Sequence, residues 1–139
     1  MHSYASPHTD PATWLAELAQ SHPERLFLRT PAGLRLTYGE MTRLVDRIAG
    51  ALVQRGVQSA DRVVAQVEKS PEAIALYLAC LRVGAVFVPL NTAYTTAEIE
   101  YFLGDADPKI AVGVANGGVS LAELVSNESA ASRVPASAK

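Results

Sequence analysis

The sequence lacks several features on which protein chemistry often depends. It has a single cysteine, Cys80, so an internal disulfide is impossible, and the apolar run around it predicts a buried, unreactive thiol. No stretch reaches the ~18 consecutive apolar residues that a membrane span needs. The first ten residues lack the basic and apolar segments of a secretory signal. We therefore expect a cytoplasmic protein that does not interact with membranes.

Motifs for catalysis and metal binding are also scarce. Gly117-Gly118 has no lysine after it and does not predict a phosphate-binding loop. The three histidines, His2, His8 and His22, all lie near the N-terminus, where surface positions explain them better than a metal site does. We predict no catalytic residue and no metal ligand in this sequence.

The charge balance argues against binding to nucleic acid. The chain has 12 basic and 14 acidic residues, and its arginines are scattered instead of forming one basic patch. A length of 139 residues with a hydrophobic fraction of 49% fits one small globular domain or part of a larger one.

Four predicted helices have recognisable start and stop signals. Asp10 caps a helix that begins with Pro11, and Trp14, Leu15 and Leu18 form its apolar face. Capping residues and closing glycines then predict three further helices, between Thr37 and Gly56, between Ser70 and Gly84, and between Thr95 and Gly104.

The strands suggest a hairpin followed by a parallel sheet. A turn at 31–33 joins two short strands into the hairpin. From Val63 onward, strands alternate with helices, which is typical of a parallel α/β sheet with right-handed crossovers. The predicted strands cover residues 26–30, 34–36, 61–67, 85–90 and 109–112.

Composition divides the chain into three parts. Residues 1–10 are polar and predict a flexible leader, and residues 11–113 contain the predicted strands and main helices. Residues 114–139 are rich in serine and alanine and predict a weakly ordered tail with one weak helix at 121–125.

Two segments resemble known signature motifs. Residues 36–41 (LTYGEM) and 81–91 (LRVGAVFVPLN) are similar to the first two motifs of the adenylate-forming, or AMP-binding, superfamily, which includes acyl-CoA synthetases. The resemblance implies the N-terminal portion of the large adenylate-forming domain. That fold is α/β, with a mostly parallel sheet, flanking helices and an N-terminal β-hairpin. Residues 11–113 would then be a partial N-terminal subdomain.

A finer resemblance indicates one branch of this superfamily. Residues 66–73 (QVEKSPEA) and 89–95 (PLNTAYT) look like malonyl-CoA synthetases. The resemblance implies a parent reaction in which malonate, ATP and coenzyme A give malonyl-CoA, AMP and diphosphate. It also implies that the full-length enzyme uses ATP, Mg²⁺ and coenzyme A.

Most of the family's functional motifs are not found in these 139 residues. The missing motifs are the ATP-binding loop, the adenine-binding aromatic segment, the magnesium-coordinating Glu, the ribose-binding Asp and the catalytic Lys. The arginines expected to hold the distal carboxylate of malonate are not found either. We therefore expect the isolated chain to bind no cofactor, to be inactive and to be marginally stable.

One loop is a candidate binding site. The resemblance implies that the loop after the second motif lies near the coenzyme A entrance, which makes Asn91, Thr92 and Tyr94 candidate cofactor contacts. The alternative is that this loop only leads into the helix capped by Thr95.

Three roles remain open. The chain could be an inactive N-terminal fragment of a synthetase, or a non-catalytic partner in a protein–protein interaction. It could also be a complementing subunit of a split synthetase. Exposed sheet edges would favour self-association or pairing with a complementing fragment.

Overall fold

The computed structural model describes residues 10–114 and 118–126. The predictions for residues 1–9, including His2 and His8, and for residues 127–139 therefore lie outside the described residues, as does Gly117. Five helices and five strands are described: α1 (Pro11–Ser21), β1 (Leu26–Arg29), β2 (Arg35–Thr37), α2 (Tyr38–Gln54), β3 (Arg62–Ala65), α3 (Pro71–Val83), β4 (Val86–Pro89), α4 (Thr96–Ala106), β5 (Ile110–Val112) and α5 (Leu121–Ser126).

Side-chain caps fix the helix starts. Before α2, the Thr37 amide donates to Glu40 Oε1 at 2.9 Å and the Glu40 amide donates to Thr37 Oγ1 at 3.1 Å. Thr95 and Glu98 form the same reciprocal pair before α4, at 2.8 and 3.2 Å. Each pair satisfies two amides that the helix leaves without a partner. The predicted capping boxes are confirmed.

The strands form a hairpin and a parallel sheet, as predicted. β1 and β2 pair antiparallel, while the second sheet has the order β4-β3-β5 with both pairings parallel. Val64 of the central strand lies opposite Val88 on one side and Ala111 on the other. The α/β fold class predicted from the sequence is confirmed.

The central strand β3 is buried on both faces. Val63 and Ala65 belong to the main hydrophobic core, which α2 and α3 build with residues such as Ile48 and Leu76. Successive side chains of a strand alternate between faces. Val64 is fully buried outside that core, so it faces the opposite side, where α4 contacts β3. The sheet therefore lies between two helical layers.

Part of the predicted tail packs onto this core. Leu124 of α5 is fully buried and belongs to the main core, and α5 contacts α2. Val119 forms a parallel bridge with Val112 of β5. The composition of the tail did not predict this packing, although it predicted a helix at 121–125. The domain boundary at 113–114 stays a prediction.

Two local predictions were wrong. Gly104 does not end α4: the helix continues to Ala106, and Asp107 closes it in the left-handed conformation at φ 47°. Aspartate tolerates that conformation better than most side chains do. In α1 the buried residues are Ala12 and Leu15, while Trp14 is 47% exposed. The α1 face that packs is therefore rotated away from Trp14.

None of the helices within residues 10–114 and 118–126 is long and apolar enough to span a membrane.

Leu76 tests the packing between α3 and the sheet. Leu76→Ala removes a fully buried side chain and is expected to lower the free energy of unfolding by about 2–5 kcal/mol, because it leaves a cavity. Leu34→Ala is the matched control, since Leu34 is 50% exposed and the change should stay within about 0.5 kcal/mol. Urea denaturation measures both. Equal losses in the two variants would contradict the described core.

Candidate functional site

A cavity of about 350 Å³ opens at the carboxyl ends of the parallel strands. Ligands of open α/β sheets gather at this edge, because the loops that follow the strands converge there. Gln66 follows β3, the loop 91–94 follows β4 and Gly113 follows β5. The cavity is lined by Gln66, Glu68, Thr92, Tyr94, Thr96, Ile99 and Gly113.

Gln66 connects the ends of all three strands. Its backbone amide donates to Val112 O at 2.9 Å, which extends the pairing of β3 with β5. Its side-chain Nε2 lies 3.1 Å from Asn91 O, 3.4 Å from Thr92 O and 3.3 Å from Tyr94 O. These hydrogen bonds tie the loop after β4 to the end of β3.

The loop 91–94 is a compact turn. The Ala93 amide donates to Asn91 Oδ1 at 2.8 Å, and the Tyr94 amide donates to Asn91 O at 3.1 Å. The Tyr94 ring stacks on Phe102 of α4 with 5.0 Å between ring centroids. The loop is therefore held at both ends, by its own turn and by the aromatic contact with α4.

The three predicted site residues do not occupy equivalent positions. Thr92 and Tyr94 line the cavity, whereas Asn91 is absent from its lining and uses its side chain inside the turn. Their predicted contact with coenzyme A stays a prediction.

At Gly113 the backbone after β5 lies closer to the Gln66 carbonyl than a residue with a Cβ would allow. Its φ is 78°, and a Cβ placed there would lie 2.4 Å from Gln66 O and 2.9 Å from Val67 Cγ1. Only a glycine fits between β5 and the end of β3 without displacing backbone. Sequence reasoning missed both residues. Gln66 lies inside the predicted strand 61–67, which ends in the structure at Ala65, and Gly113 directly follows the predicted strand 109–112.

The cavity lining is polar and carries little charge. Glu68 supplies the only carboxylate among the seven lining residues, and none of the seven is basic. Three of the other lining residues, Thr92, Tyr94 and Thr96, carry hydroxyl groups. Such a surface suits hydrogen bonding to a neutral polar group better than binding to phosphate, which usually involves Arg or Lys.

A second, more aromatic hollow lies next to it. Its volume is about 470 Å³, and Tyr101 and Phe102 of α4 meet edge to face there, with 5.6 Å between centroids. Tyr101 is 70% exposed. Tyr94 lines both hollows, so they share one wall.

A cluster of metal-binding side chains and a reactive thiol are both absent from the described residues. Within 10–114 and 118–126, no group of three or more His, Cys, Asp and Glu side chains could hold a metal ion. Burial raises the pKa of the Cys80 thiol to about 12, so it is protonated near neutral pH and a poor nucleophile.

Comparison with known proteins shows the family. The AMP-binding enzyme family matches residues 15–138, so the chain belongs to the AMP-binding enzymes. It is 48% identical to ATP-bound MatB from Rhodopseudomonas palustris, with a TM-score of 0.66 over 73% of the chain. It is 27% identical to the N-terminal subdomain of NpsA from Klebsiella oxytoca, solved with 3-hydroxybenzoyl-AMSN, with a TM-score of 0.74 over 84% of the chain and 31% of that structure.

A curated relative is an enzyme of known reaction class. The oxalate–CoA ligase of Arabidopsis thaliana is 31% identical over 113 residues, which is 81% of the chain. The chain spans only 22% of the length of that ligase and 20% of the MatB structure. It corresponds to the N-terminal part of the adenylate-forming domain, as the two sequence motifs predicted.

Gly113→Ala tests the close approach beside the cavity. We expect it to lower the free energy of unfolding by about 1–3 kcal/mol, because an L-residue is strained at this φ and its Cβ meets Gln66 O. Gly104→Ala is the matched control. Gly104 is helical with open space around it, so alanine there should stabilise the protein by up to about 1 kcal/mol. Thermal unfolding measures both, and the same sign for the two variants would contradict this geometry.

Cys80 gives a prediction for alkaline pH. The thiol has a pKa of 9.0 when unperturbed and about 12 in the folded chain. Its contribution to stability is therefore complete below pH 9.0 and is lost as the pH rises toward about 12. Cys80→Ala should flatten the pH dependence of unfolding in that range.

Iodoacetamide should label Cys80 only after denaturation, and rapid labelling of the folded chain would contradict its burial.

Proposed function

We propose that the chain is the N-terminal portion of an acyl-CoA synthetase that activates malonate with ATP and transfers it to coenzyme A in the cytoplasm. The observation that carries this proposal is the 48% identity to ATP-bound MatB over 73% of the chain. The similarity of residues 66–73 and 89–95 to malonyl-CoA synthetases supports it. The oxalate–CoA ligase supports a short dicarboxylate as substrate, because oxalate is one.

Within that enzyme, the described residues provide a frame and one wall of a binding site. The loop 91–94 presents Thr92 and Tyr94 to a polar cavity at the carboxyl edge of the sheet. We assign this loop to the coenzyme A entrance, where hydroxyl and amide groups can meet the uncharged part of the cofactor. Phosphate binding usually involves Arg or Lys, and none of the seven lining residues is basic, so the ATP phosphates are assigned to another part of the enzyme.

We further propose that these 139 residues do not activate a carboxylate by themselves. Adenylation needs charged groups that stabilise the transferring phosphoryl oxygens in the transition state. The family's ATP-binding loop and catalytic Lys are not found in the sequence, and the described residues contain no group of three or more His, Cys, Asp and Glu side chains that could hold a metal ion. The chain contributes to the reaction by positioning other parts of the enzyme.

A second role, as a complementing subunit, is compatible with the surface around β4. β4 pairs only with β3 among the described strands, so its other edge is open. Val86 of β4 is 47% exposed, and Ile74 and Tyr77 of α3 are 42% and 40% exposed. Further sheet and helix would cover this surface, whether they belong to the same polypeptide or to another one.

Malonate-dependent exchange between ATP and diphosphate tests the proposal. The isolated chain should show no exchange above a no-enzyme control. The complete gene product that contains these residues should show exchange that depends on malonate and is weaker with acetate, which lacks the second carboxylate. Exchange by the isolated chain would disprove its inactivity, and a preference for acetate would disprove the substrate.

A mixing experiment distinguishes a complementing subunit from a fragment that works only when it is covalently joined to the rest of the synthetase. The isolated chain is added to a synthetase polypeptide that lacks the segment matching residues 15–138. Restored exchange is expected if the chain acts as a complementing subunit, with Val86→Lys as a variant that should weaken it. No exchange at any mixing ratio would contradict the subunit role. It would indicate that the chain works only as a covalently joined part of the synthetase.

A further inference from the structure

Besides its own turn and the contact of Tyr94 with Phe102, the loop that forms one wall of the cavity is contacted by one side chain from the end of β3. Three backbone carbonyls, of Asn91, Thr92 and Tyr94, lie 3.1–3.4 Å from Gln66 Nε2. A carboxamide nitrogen carries two hydrogens, so the three carbonyls share them. The contacts join parts of the chain that are 25 to 28 residues apart. These hydrogen bonds therefore join the ends of two strands that are distant in sequence, and they are not part of a local turn.

The backbone of Gln66 is fixed independently of that loop. Its amide donates to Val112 O at 2.9 Å, and its carbonyl lies against Gly113, where a Cβ would be only 2.4 Å away. Asn91 and Thr92, by contrast, are exposed. The anchored end of β3 can therefore hold the exposed loop, whereas the loop has little buried surface of its own to hold it in place.

We propose that Gln66 is the positioning residue of the loop 91–94 and thereby sets how Thr92 and Tyr94 line the cavity. Gln66 acts through the loop, and only the identity of the ligand at that loop rests on the proposed function. These contacts restrict which side chain can occupy position 66. The side chain must donate to several carbonyls, carry no negative charge and span the distance from the end of β3. Glutamine does all three, whereas glutamate of the same shape faces the carbonyls with acceptor oxygens.

Amide hydrogen exchange in isotope-labelled chain tests this role. Gln66→Glu at neutral pH should reduce the protection of the Ala93 and Tyr94 amides roughly tenfold, because the loop loses its donors. Amides in β3 should keep their protection. Gln66→Met removes the donors without adding charge and should give a similar loss. It also decides the matter if the glutamate variant fails to fold. Gln58→Glu, the same change at an exposed position, should leave the loop unchanged.

The pH dependence distinguishes a donor from a merely space-filling side chain. In Gln66→Glu, lowering the pH from about 7 to about 4 begins to protonate the introduced carboxylate, and the resulting carboxylic acid can donate one hydrogen bond. Protection of the Ala93 and Tyr94 amides should partly return in that variant. It should not return in Gln66→Met. Unchanged loop protection in both variants, or no difference between them at low pH, would overturn the positioning role.

A titration with coenzyme A tests the ligand separately. When coenzyme A is added to the complete gene product that contains these residues, the signals of Thr92 and Tyr94 should shift, and the shifts should be smaller in its Gln66→Met variant. If coenzyme A leaves these signals unchanged, the assignment of this loop to the coenzyme A entrance is wrong. The role of Gln66 is then decided by the exchange data alone.

Discussion

Burial of β3 on both faces is the constraint on which the rest of the structure depends. Its side chains alternate between a core built by α2 and α3 and an opposite face covered by α4. A strand buried in this way must have both edges paired, since an unpaired backbone amide or carbonyl is costly away from water. β4 and β5 supply those pairings in parallel. Parallel pairing in turn requires the crossover helices, so burial of one short strand explains most of the topology.

The same arrangement creates the candidate site. Parallel strands end at the same edge of the sheet, so the residues after β3, β4 and β5 lie next to one another there. Gln66 and Gly113 bring these segments into close contact. Gln66 uses its backbone for β5 and its side chain for the loop after β4, while Gly113 leaves room for the Gln66 carbonyl. The site thus follows from sheet topology, and its shape follows from two residues.

Local signals in the sequence predicted most of this fold. Thr37 with Glu40, and Thr95 with Glu98, identify helix starts because a capping box is a contact between near neighbours. Val63, Val64 and Ala65 identify a buried strand because their apolar run matches burial on two faces.

Signals that depend on distant residues were missed. Nothing near Leu124 predicts that it packs on α2, and Gly104 looks like a helix stop although Asp107 performs that role. Gln66 is ordinary in sequence, and its importance appears only when a loop 25 residues away folds onto it. The family could be predicted because motif residues are contiguous.

We propose that these residues form the frame and one polar wall of the binding site, while the ATP phosphates are bound by other parts of the enzyme. A crystal structure of the complete gene product with ATP and coenzyme A tests it most directly. We expect coenzyme A to pass next to the loop 91–94 and the ATP phosphates to contact none of the residues described. ATP phosphate oxygens held by these residues, or coenzyme A on another edge of the sheet, would contradict the proposal.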